Sequence, residues 1–359
     1  MNKILSILAV ALFTACNSSL ESTRIVPNDA SIQYVGRVVA NSDSVAFTYP
    51  GTSIFMRFTG SSLFLEQKPN SGFYMVEIDG NEAKKVASSN DSLLSVAENL
   101  SSGEHTARIM YVVEGYELKP AIYSFVLNAG EKLLEPSPLP ERKILFIGNS
   151  ITCGYGVEGT DGAQHFAYDT ENHYYTYAAI AARRLNAQHH AIARSGIGIY
   201  RNYGDKREGS VENMPYKFKQ TLFDNPTYEW DNTQFVPDLL CINLGTNDMS
   251  LDNYDIDAFR ASYVAFLHQL RTYYPTSKIV VLCGSMLTGE VVELMQRTLD
   301  SIVAEFNSQG DSAISRFNFT PQDGSLGYGS DYHPSLAQQR KMADELTPYI
   351  SELMTWKSE

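Results

Sequence analysis

The period of the hydrophobic pattern changes near residue 140. Between residues 25 and 134, short apolar runs alternate with turn-forming clusters of Gly, Pro, Asn and Ser. Short strands at this spacing predict an antiparallel β-sandwich of the jelly-roll type. The clearest predicted strands cover residues 45–49, 53–58, 62–65, 74–78 and 107–113.

From residue 142 to the end, buried-strand patterns alternate with helical ones. The predicted strands cover residues 143–148, 237–244 and 278–283, and the predicted helices cover residues 176–186, 257–273 and 291–306. This alternation predicts a three-layer α/β/α domain with a parallel sheet over residues 142–359. Residues 135–141 carry three prolines, which predicts an extended linker between the two domains.

The N-terminus has the pattern of an export signal. Residues 4–13 form an apolar run that is too short to span a bilayer as a mature helix. Small residues directly before Cys16 resemble the lipobox of bacterial lipoproteins, although Phe13 stands where Leu is usual. We therefore expect a signal peptide over residues 1–16 with a lipidated Cys16, a tether over residues 17–24, and a location in a bacterial cell envelope. A simple secretory signal is the alternative.

Charge and cysteine content narrow the function classes. Asp and Glu number 41 against 28 Lys and Arg, which gives a formal net charge of −13 and argues against a nucleic-acid partner. We expect membrane contact only through the lipid anchor. Beyond Cys16 there are three cysteines, an odd number that excludes a complete disulfide framework, and no pair has metal-ligand spacing. We therefore expect no metal site and no cofactor.

Four short motifs in the second domain carry candidate chemistry. Residues 148–150 read Gly-Asn-Ser after the first buried strand, and residues 245–248 read Gly-Thr-Asn-Asp after another. Residues 194–198 form a glycine-containing turn, and residues 331–334 read Asp-Tyr-His-Pro before a helical run. In open α/β sheets, functional groups gather at the carboxyl ends of the strands. Each motif alone is also ordinary turn chemistry.

Together, the order of these motifs resembles that of the SGNH (GDSL-like) hydrolases, with the four family positions at Ser150, Gly196, Asn247 and His333. A closer resemblance is to carbohydrate esterase family two, whose members carry a jelly roll before the hydrolase domain. The resemblance implies a metal-free carboxylic ester hydrolase that removes acetyl groups from plant polysaccharides or oligosaccharides of the acetylxylan or glucomannan type, often at the 6-hydroxyl.

The resemblance also implies a role for each site residue. Ser150 would be the nucleophile and His333 its general base. The Ser150 and Gly196 N–H groups and the Asn247 amide would form the oxyanion hole. Many SGNH hydrolases place an orienting Asp three residues before the His, but Ser330 stands there and Asp331 is one residue too close. Either Asp331 completes a catalytic triad or a backbone carbonyl orients His333 in a dyad.

Two alternatives to this function stay open at the level of the sequence. The first is an SGNH esterase acting on peptidoglycan O-acetyl groups or on a lysophospholipid. The second is an inert lipoprotein that binds glycan through the sandwich domain. The histidines at positions 165, 173, 189 and 190 are predicted to be structural residues of loops or helices.

Overall fold

The computed structural model describes residues 22–357 and begins with a domain built from two antiparallel sheets. The predicted signal peptide, Cys16 and most of the predicted tether therefore lie outside the described residues. The strands of this first domain are β1 (Thr23–Ile25), β2 (Gln33–Val35), β3 (Val39–Ala40), β4 (Val45–Ala46), β5 (Ser53–Thr59), β6 (Leu63–Gln67), β7 (Phe73–Ile78), β8 (Lys84–Ala87), β9 (Leu93–Ala97), β10 (Glu104–Tyr111), β11 (Ala121–Leu127) and β12 (Leu133–Leu134).

The two sheets form a sandwich around one apolar core. One sheet has the order β3-β4-β11-β6-β9 with β1 paired to β11, and the other has β12-β5-β10-β7-β8 with β2 paired to β5. Alternate residues along the strands face inward, and Phe58, Leu65, Ile109 and Phe125 are among those packed between the sheets. The antiparallel sandwich expected from the short apolar runs is confirmed.

The second domain places a parallel sheet between two layers of helices. Its sheet has the order β14-β13-β17-β18-β19, with every pair parallel, and a separate β15–β16 hairpin lies outside it. The strands are β13 (Arg142–Gly148), β14 (Ala187–Ala193), β15 (Gln220–Leu222), β16 (Asn225–Glu229), β17 (Leu239–Asn243), β18 (Lys278–Cys283) and β19 (Ile314–Asn318). The helices are α1 (Ser150–Cys153), α2 (Tyr177–Arg184), α3 (Met214–Lys217), α4 (Thr246–Met249), α5 (Ile256–Tyr273), α6 (Gly289–Ser308) and α7 (Leu336–Met354).

Opposite faces of β13 explain the three layers. Leu145 and Ile147 pack in the core that contains the apolar stripes of α5 and α6. Ile144 and Phe146 point the other way, into the core that contains α2 and α7. The predicted α/β/α architecture is confirmed. Among residues 22–357, no helix has the length and hydropathy needed to cross a membrane.

Helix α7 begins after Pro334, because the Ser335 hydroxyl caps it by accepting the Gln338 N–H, and Pro334 forms an isolated bridge with Tyr328. One local expectation from the sequence is wrong. His189 and His190 are not in a loop or helix. They lie in β14, where both side chains are buried.

The segment predicted to be a linker is held by both domains. The Glu135 carbonyl accepts a hydrogen bond from Arg57 at 3.1 Å, and the Pro140 carbonyl accepts one from Gln188 at 2.6 Å. Elsewhere between the domains, Arg37 of the first domain is 1% exposed and donates to the carbonyls of Phe218 and Gln220 in the second. The two domains therefore share a buried polar interface.

Candidate active site

The candidate nucleophile sits where β13 turns into α1. Ser150 is the first residue of that helix, and the Asn149 side chain caps it by accepting the Ile151 N–H at 3.1 Å. The strand ends at Gly148, so Ser150 lies at the carboxyl edge of the parallel sheet. Its side chain lines an open pocket.

The candidate base is in hydrogen-bond contact with this serine. His333 Nε2 lies 2.9 Å from Ser150 Oγ, and His333 Nδ1 lies 3.2 Å from the carbonyl oxygens of both Ser330 and Asp331. Because carbonyls only accept, Nδ1 carries the proton and Nε2 is free to accept the hydroxyl proton. Burial lowers the pKa of His333 below its ordinary value of 6.5, against the opposing effect of the two carbonyls, so the imidazole is neutral at neutral pH.

Of the two arrangements left open for His333, the structure has the dyad, and Asp331 is not the carboxylate of a triad. Its side chain accepts hydrogen bonds from the Tyr155 hydroxyl at 2.7 Å, the Phe166 N–H at 2.9 Å and His165 Nδ1 at 2.9 Å. The physical reason is the backbone of Asp331, whose φ of +49° is left-handed and presents the carbonyl, not the carboxylate, to His333. The arrangement is a Ser–His pair oriented by main-chain oxygens.

An aromatic stack fixes the plane of the imidazole. The Tyr155 ring lies over His333 with a centroid separation of 4.1 Å, and Phe166 stacks on the other face of Tyr155 at 4.3 Å. Asp331 holds the Tyr155 hydroxyl and the Phe166 backbone, so its carboxylate supports the stack. Sequence reasoning did not find this role, because Tyr155 is one of many tyrosines between the motifs.

The expected oxyanion residues share one pocket with the Ser–His pair. This pocket has a volume of 520 Å³, which is within the usual range for small-molecule sites. Its lining comprises Ser150, Tyr155, Ser195, Gly196, Tyr203, Thr246, Asn247, Ser250, Met286, Asp331 and His333. All four family positions are therefore brought together.

Gly196 lies in the loop after β14 and Asn247 in the short helix after β17, and these two strands flank β13. Gly196 has a φ of +77°, a conformation that glycine adopts without strain, and nothing lies within 4 Å of where a Cβ would be. Asn247 is the second residue of α4, and its amide donates to the Ile197 carbonyl at 2.8 Å. An amide nitrogen has two hydrogens, so one remains for a negatively charged oxygen.

Buried carboxylates hold the loop that contains Gly196. Asp248 accepts the N–H groups of Ile199, Tyr200 and Arg201 at 2.8–3.1 Å. At the other end, Glu114 of the first domain binds the Ser195 backbone and hydroxyl. The turn is therefore fixed on both sides.

The three cysteines of the second domain, Cys153, Cys241 and Cys283, are buried free thiols that pack as small apolar residues. One of them lies in a cluster that motif spacing could not reveal. Glu114, Cys153 and Glu171 are far apart in the sequence, yet one ligand atom of each lies within 4.8 Å of the others, and all three are buried.

Comparisons with known proteins agree with this geometry. Residues 34–138 match the family described as the carbohydrate esterase 2 N-terminal domain, and residues 144–346 match the GDSL-like lipases and acylhydrolases. The chain is 33% identical over 333 residues to a cellulase/esterase, CelE, from Acetivibrio thermocellus, covering 92% of this chain but only 40% of that relative. It is 29% identical to an acetylxylan esterase/glucomannan deacetylase from Cellvibrio japonicus, covering 96% of each.

Solved structures of family two carbohydrate esterases also resemble this chain over most of its length. A family two carbohydrate esterase from Clostridium thermocellum, solved with cellohexaose, superposes with a TM-score of 0.83 at 33% identity, over 91% of this chain and all of that chain. One from Cellvibrio japonicus superposes with a TM-score of 0.84 at 26% identity, over 94% and 99% of the two chains. The chain therefore belongs to the GDSL-like lipases and acylhydrolases and, within them, to family two of the carbohydrate esterases.

Proposed function

We propose that the protein is a serine esterase that removes acetyl groups from plant polysaccharides or oligosaccharides of the acetylxylan or glucomannan type. The observation that carries the proposal is the 2.9 Å contact between Ser150 Oγ and His333 Nε2, with Nδ1 directed at two carbonyls. The names of the relatives support acetyl esters of carbohydrates as the substrate class.

The proposed reaction has two half-reactions through an acyl-enzyme. Ser150 Oγ attacks the acetyl carbonyl carbon while His333 Nε2 takes the hydroxyl proton. The resulting oxyanion accepts hydrogen bonds from the Ser150 and Gly196 N–H groups and from the Asn247 amide. His333 then returns the proton to the departing sugar oxygen. Water attacks the acetyl-serine by the same route, which releases acetate and regenerates Ser150.

Aromatic rings in the pocket lining support a sugar substrate. Tyr203 and Tyr155 line the pocket, and Tyr203 is 56% exposed. Amphipathic aromatic faces of this kind pack against the apolar faces of pyranose rings, and the exposure of Tyr203 leaves it free to do so. A relative was solved with a cello-oligosaccharide, which is a chain of such rings.

The test is release of acetate by the wild type and by Ser150→Ala, first from a chromogenic acetyl ester. We expect Ser150→Ala to keep its melting temperature and to lose the activity, because Ser150 is the hydroxyl in contact with His333, whereas the Thr152 and Cys153 side chains of α1 are fully buried. A folded Ser150→Ala protein with unchanged acetate release would overturn the proposal. A wild type that binds glycan without releasing acetate would favour the inert binding protein.

The substrate is then chosen from a panel. Acetylated xylan, acetylated glucomannan, O-acetylated peptidoglycan and a lysophospholipid are compared by their kcat/KM values. We expect the two plant polysaccharides to be preferred. Preference for peptidoglycan or for the lysophospholipid would retain the esterase chemistry and refute the proposed substrate.

We also propose that the mature protein is a lipoprotein of the bacterial cell envelope, anchored through Cys16. The support is the short apolar run followed by small residues and Cys16 in the sequence. Acyl chains would supply the membrane attachment, so recovery in the membrane fraction should be lost in Cys16→Ala. Equal membrane recovery of that variant would refute the anchor.

A further inference from the structure

A carboxylate of the first domain binds Ser195, a residue that lines the pocket of the second domain. Glu114 follows strand β10 and is buried at the domain interface. Its Oε1 accepts the Ser195 N–H at 2.6 Å and its Oε2 accepts the Ser195 hydroxyl at 2.5 Å. Both carboxyl oxygens thus bind one residue, the neighbour of Gly196.

The bidentate contact constrains the peptide that leads to Gly196. The N–H and the side chain of Ser195 are held on one side, and the Gly196 carbonyl accepts the Tyr203 N–H at 2.8 Å on the other. The peptide between them, which carries the Gly196 N–H, therefore has few alternative orientations. Gly196 needs such an external constraint, because its left-handed backbone is one of several conformations that glycine populates readily. The orientation of the expected oxyanion donor therefore depends on a residue of the other domain.

A second buried carboxyl determines the charge on Glu114. Glu171 Oε2 accepts the Glu114 N–H at 3.0 Å, while no residue of the part of the chain described here hydrogen-bonds Glu171 Oε1, which is also buried. A carboxylate oxygen without a donor would be costly to bury, whereas a protonated carboxyl is neutral. Two carboxyls this close do not both ionise, so one proton belongs to the pair.

The surroundings place that proton on Glu171. Burial, followed by the charge of Glu114, raises the pKa of Glu171 well above its ordinary value. Burial also raises the pKa of Glu114, but the hydrogen bonds from Ser195 and the charge of Arg194 oppose this. Other titratable groups also interact with the pair: Lys85 acts on Glu171, and the buried Cys153 thiol faces both carboxyls. Four tyrosines interact with one or both of them, namely Tyr111, Tyr116, Tyr155 and Tyr168.

We propose that Glu114 is a positioning residue of the esterase, whose ionised carboxylate, paired with a protonated Glu171, holds Ser195 so that the Gly196 N–H faces the oxyanion. The inference rests on the proposed function. It makes the first domain a part of the catalytic apparatus, because the second domain alone has no residue at this position. The expected effect is on the transition state, where the oxyanion forms, more than on binding of the uncharged ester.

The kinetic test compares Glu114→Ala with Glu114→Gln in the full chain. Loss of one complete oxyanion donor typically costs about 10²–10³ in kcat, so a misplaced donor in Glu114→Ala should cost about 10–10², with KM nearly unchanged. Gln keeps an oxygen for the Ser195 N–H and can donate its NH₂ to the Ser195 hydroxyl, so it should recover most of the activity. The matched control is Glu117→Gln on the same segment, which is exposed and bonds only Tyr168 among the described residues, and should behave as wild type.

A second variant keeps the test valid if Glu114→Ala does not fold. Ser195→Ala removes only the hydroxyl contact and should lower kcat several-fold, and the two changes should not be additive, because both act through one contact. A folded Glu114→Ala protein with kcat within twofold of wild type would overturn the inference. So would a rise in KM at constant kcat, which would indicate a role in substrate binding.

Hydrogen exchange separates this inference from the proposed function. The Ser195 amide is expected to be protected in wild type, exposed in Glu114→Ala and intermediate in Glu114→Gln, whether or not acetate is released. Absence of Ser150-dependent hydrolysis would overturn the esterase assignment, whereas an unprotected Ser195 amide in wild type would overturn the positioning contact. One equivalent of tightly bound metal, lost in Glu171→Gln, would overturn the shared proton.

Discussion

Replacing Asp331 by Asn tests whether main-chain oxygens alone orient the catalytic histidine. Asp331 Oδ2 accepts from the Tyr155 hydroxyl and the Phe166 N–H, and Oδ1 lies 2.9 Å from His165 Nδ1. An Asn that places its carbonyl at the Oδ2 position keeps the first two bonds. Its NH₂ then faces His165, which can accept in its other tautomer. Asn also tolerates the left-handed backbone at this position, so the fold should be retained.

The expected loss is small because only a charge is removed. In a Ser-His-Asp triad the same replacement costs about 10⁴ in kcat, since the His then has the wrong tautomer. Here the His333 Nδ1 proton is held by the carbonyls of Ser330 and Asp331, which the substitution leaves in place. The Asp331 charge raises the pKa of His333, so its loss makes the base weaker. We expect a loss of about tenfold, and no more than about a hundredfold, in kcat.

The assay is hydrolysis of a chromogenic acetyl ester by wild type, Asp331→Asn, Asp331→Ala and His333→Ala, each checked by thermal unfolding. Asp331→Ala removes all three side-chain contacts and strains a left-handed backbone, so it should melt lower than Asp331→Asn. His333→Ala should lose roughly 10⁴-fold or more, as expected when a base is removed from a serine hydrolase. The reasoning fails if Asp331→Asn melts like wild type and is as inactive as His333→Ala.

Three further predictions follow from the same site. The midpoint of the acid limb of the pH profile of kcat/KM should lie below pH 6.5, because burial lowers the pKa of His333 and activity is lost when this histidine becomes protonated. A midpoint above pH 6.5 would contradict this. Tyr155→Phe keeps the ring over the imidazole and should lose less than about tenfold in kcat, whereas Tyr155→Ala should lose clearly more, and equal losses would contradict a role for the stack. Burial lowers the pKa of His173 to about 4 and of His190 to about 3, so both side chains are neutral in the folded protein where the unfolded chain takes up protons. The free energy of unfolding should therefore be highest above pH 6.5 and should fall by about 1.4 kcal/mol per pH unit for each histidine between pH 6.5 and about 4. Urea unfolding at several pH values measures that slope, which His190→Gln should reduce.

The sequence predicts most of the site because three of its residues follow adjacent parallel strands. Gly196 follows β14, Ser150 follows β13 and Asn247 follows β17, and these strands are neighbours in the sheet in that order. A buried strand followed by glycine and a polar residue is a local signal, and parallel strands bring their carboxyl ends to one edge. His333 has no strand of its own, so only the resemblance to a family predicted its place.

The orientation of His333 could not be predicted, because it depends on one backbone angle. Spacing shows that Asp331 is too close for the usual triad but does not show which of its oxygens faces the ring. The left-handed φ of +49° decides that, and for a residue other than glycine this conformation has no reliable sequence signal. Tyr155 and Phe166 were missed for a related reason, since stacking is decided by loop conformation.

The contribution of the first domain was the hardest to predict, and it changes how the domain order should be understood. A jelly roll followed by proline-rich chain suggests a separable binding module, yet Glu114 contacts the residue before Gly196 and Arg37 is buried against the second domain. Burying a carboxylate and a guanidinium is costly unless each has partners. The hydrogen bonds from Ser195 to Glu114 and from Arg37 Nη1 to two carbonyls form only when the domains are docked. Separation of the domains would leave both charged groups without their partners and Ser195 without its acceptor. The same contacts that join the domains therefore hold the oxyanion loop, so the docked arrangement and the catalytic geometry should be lost together.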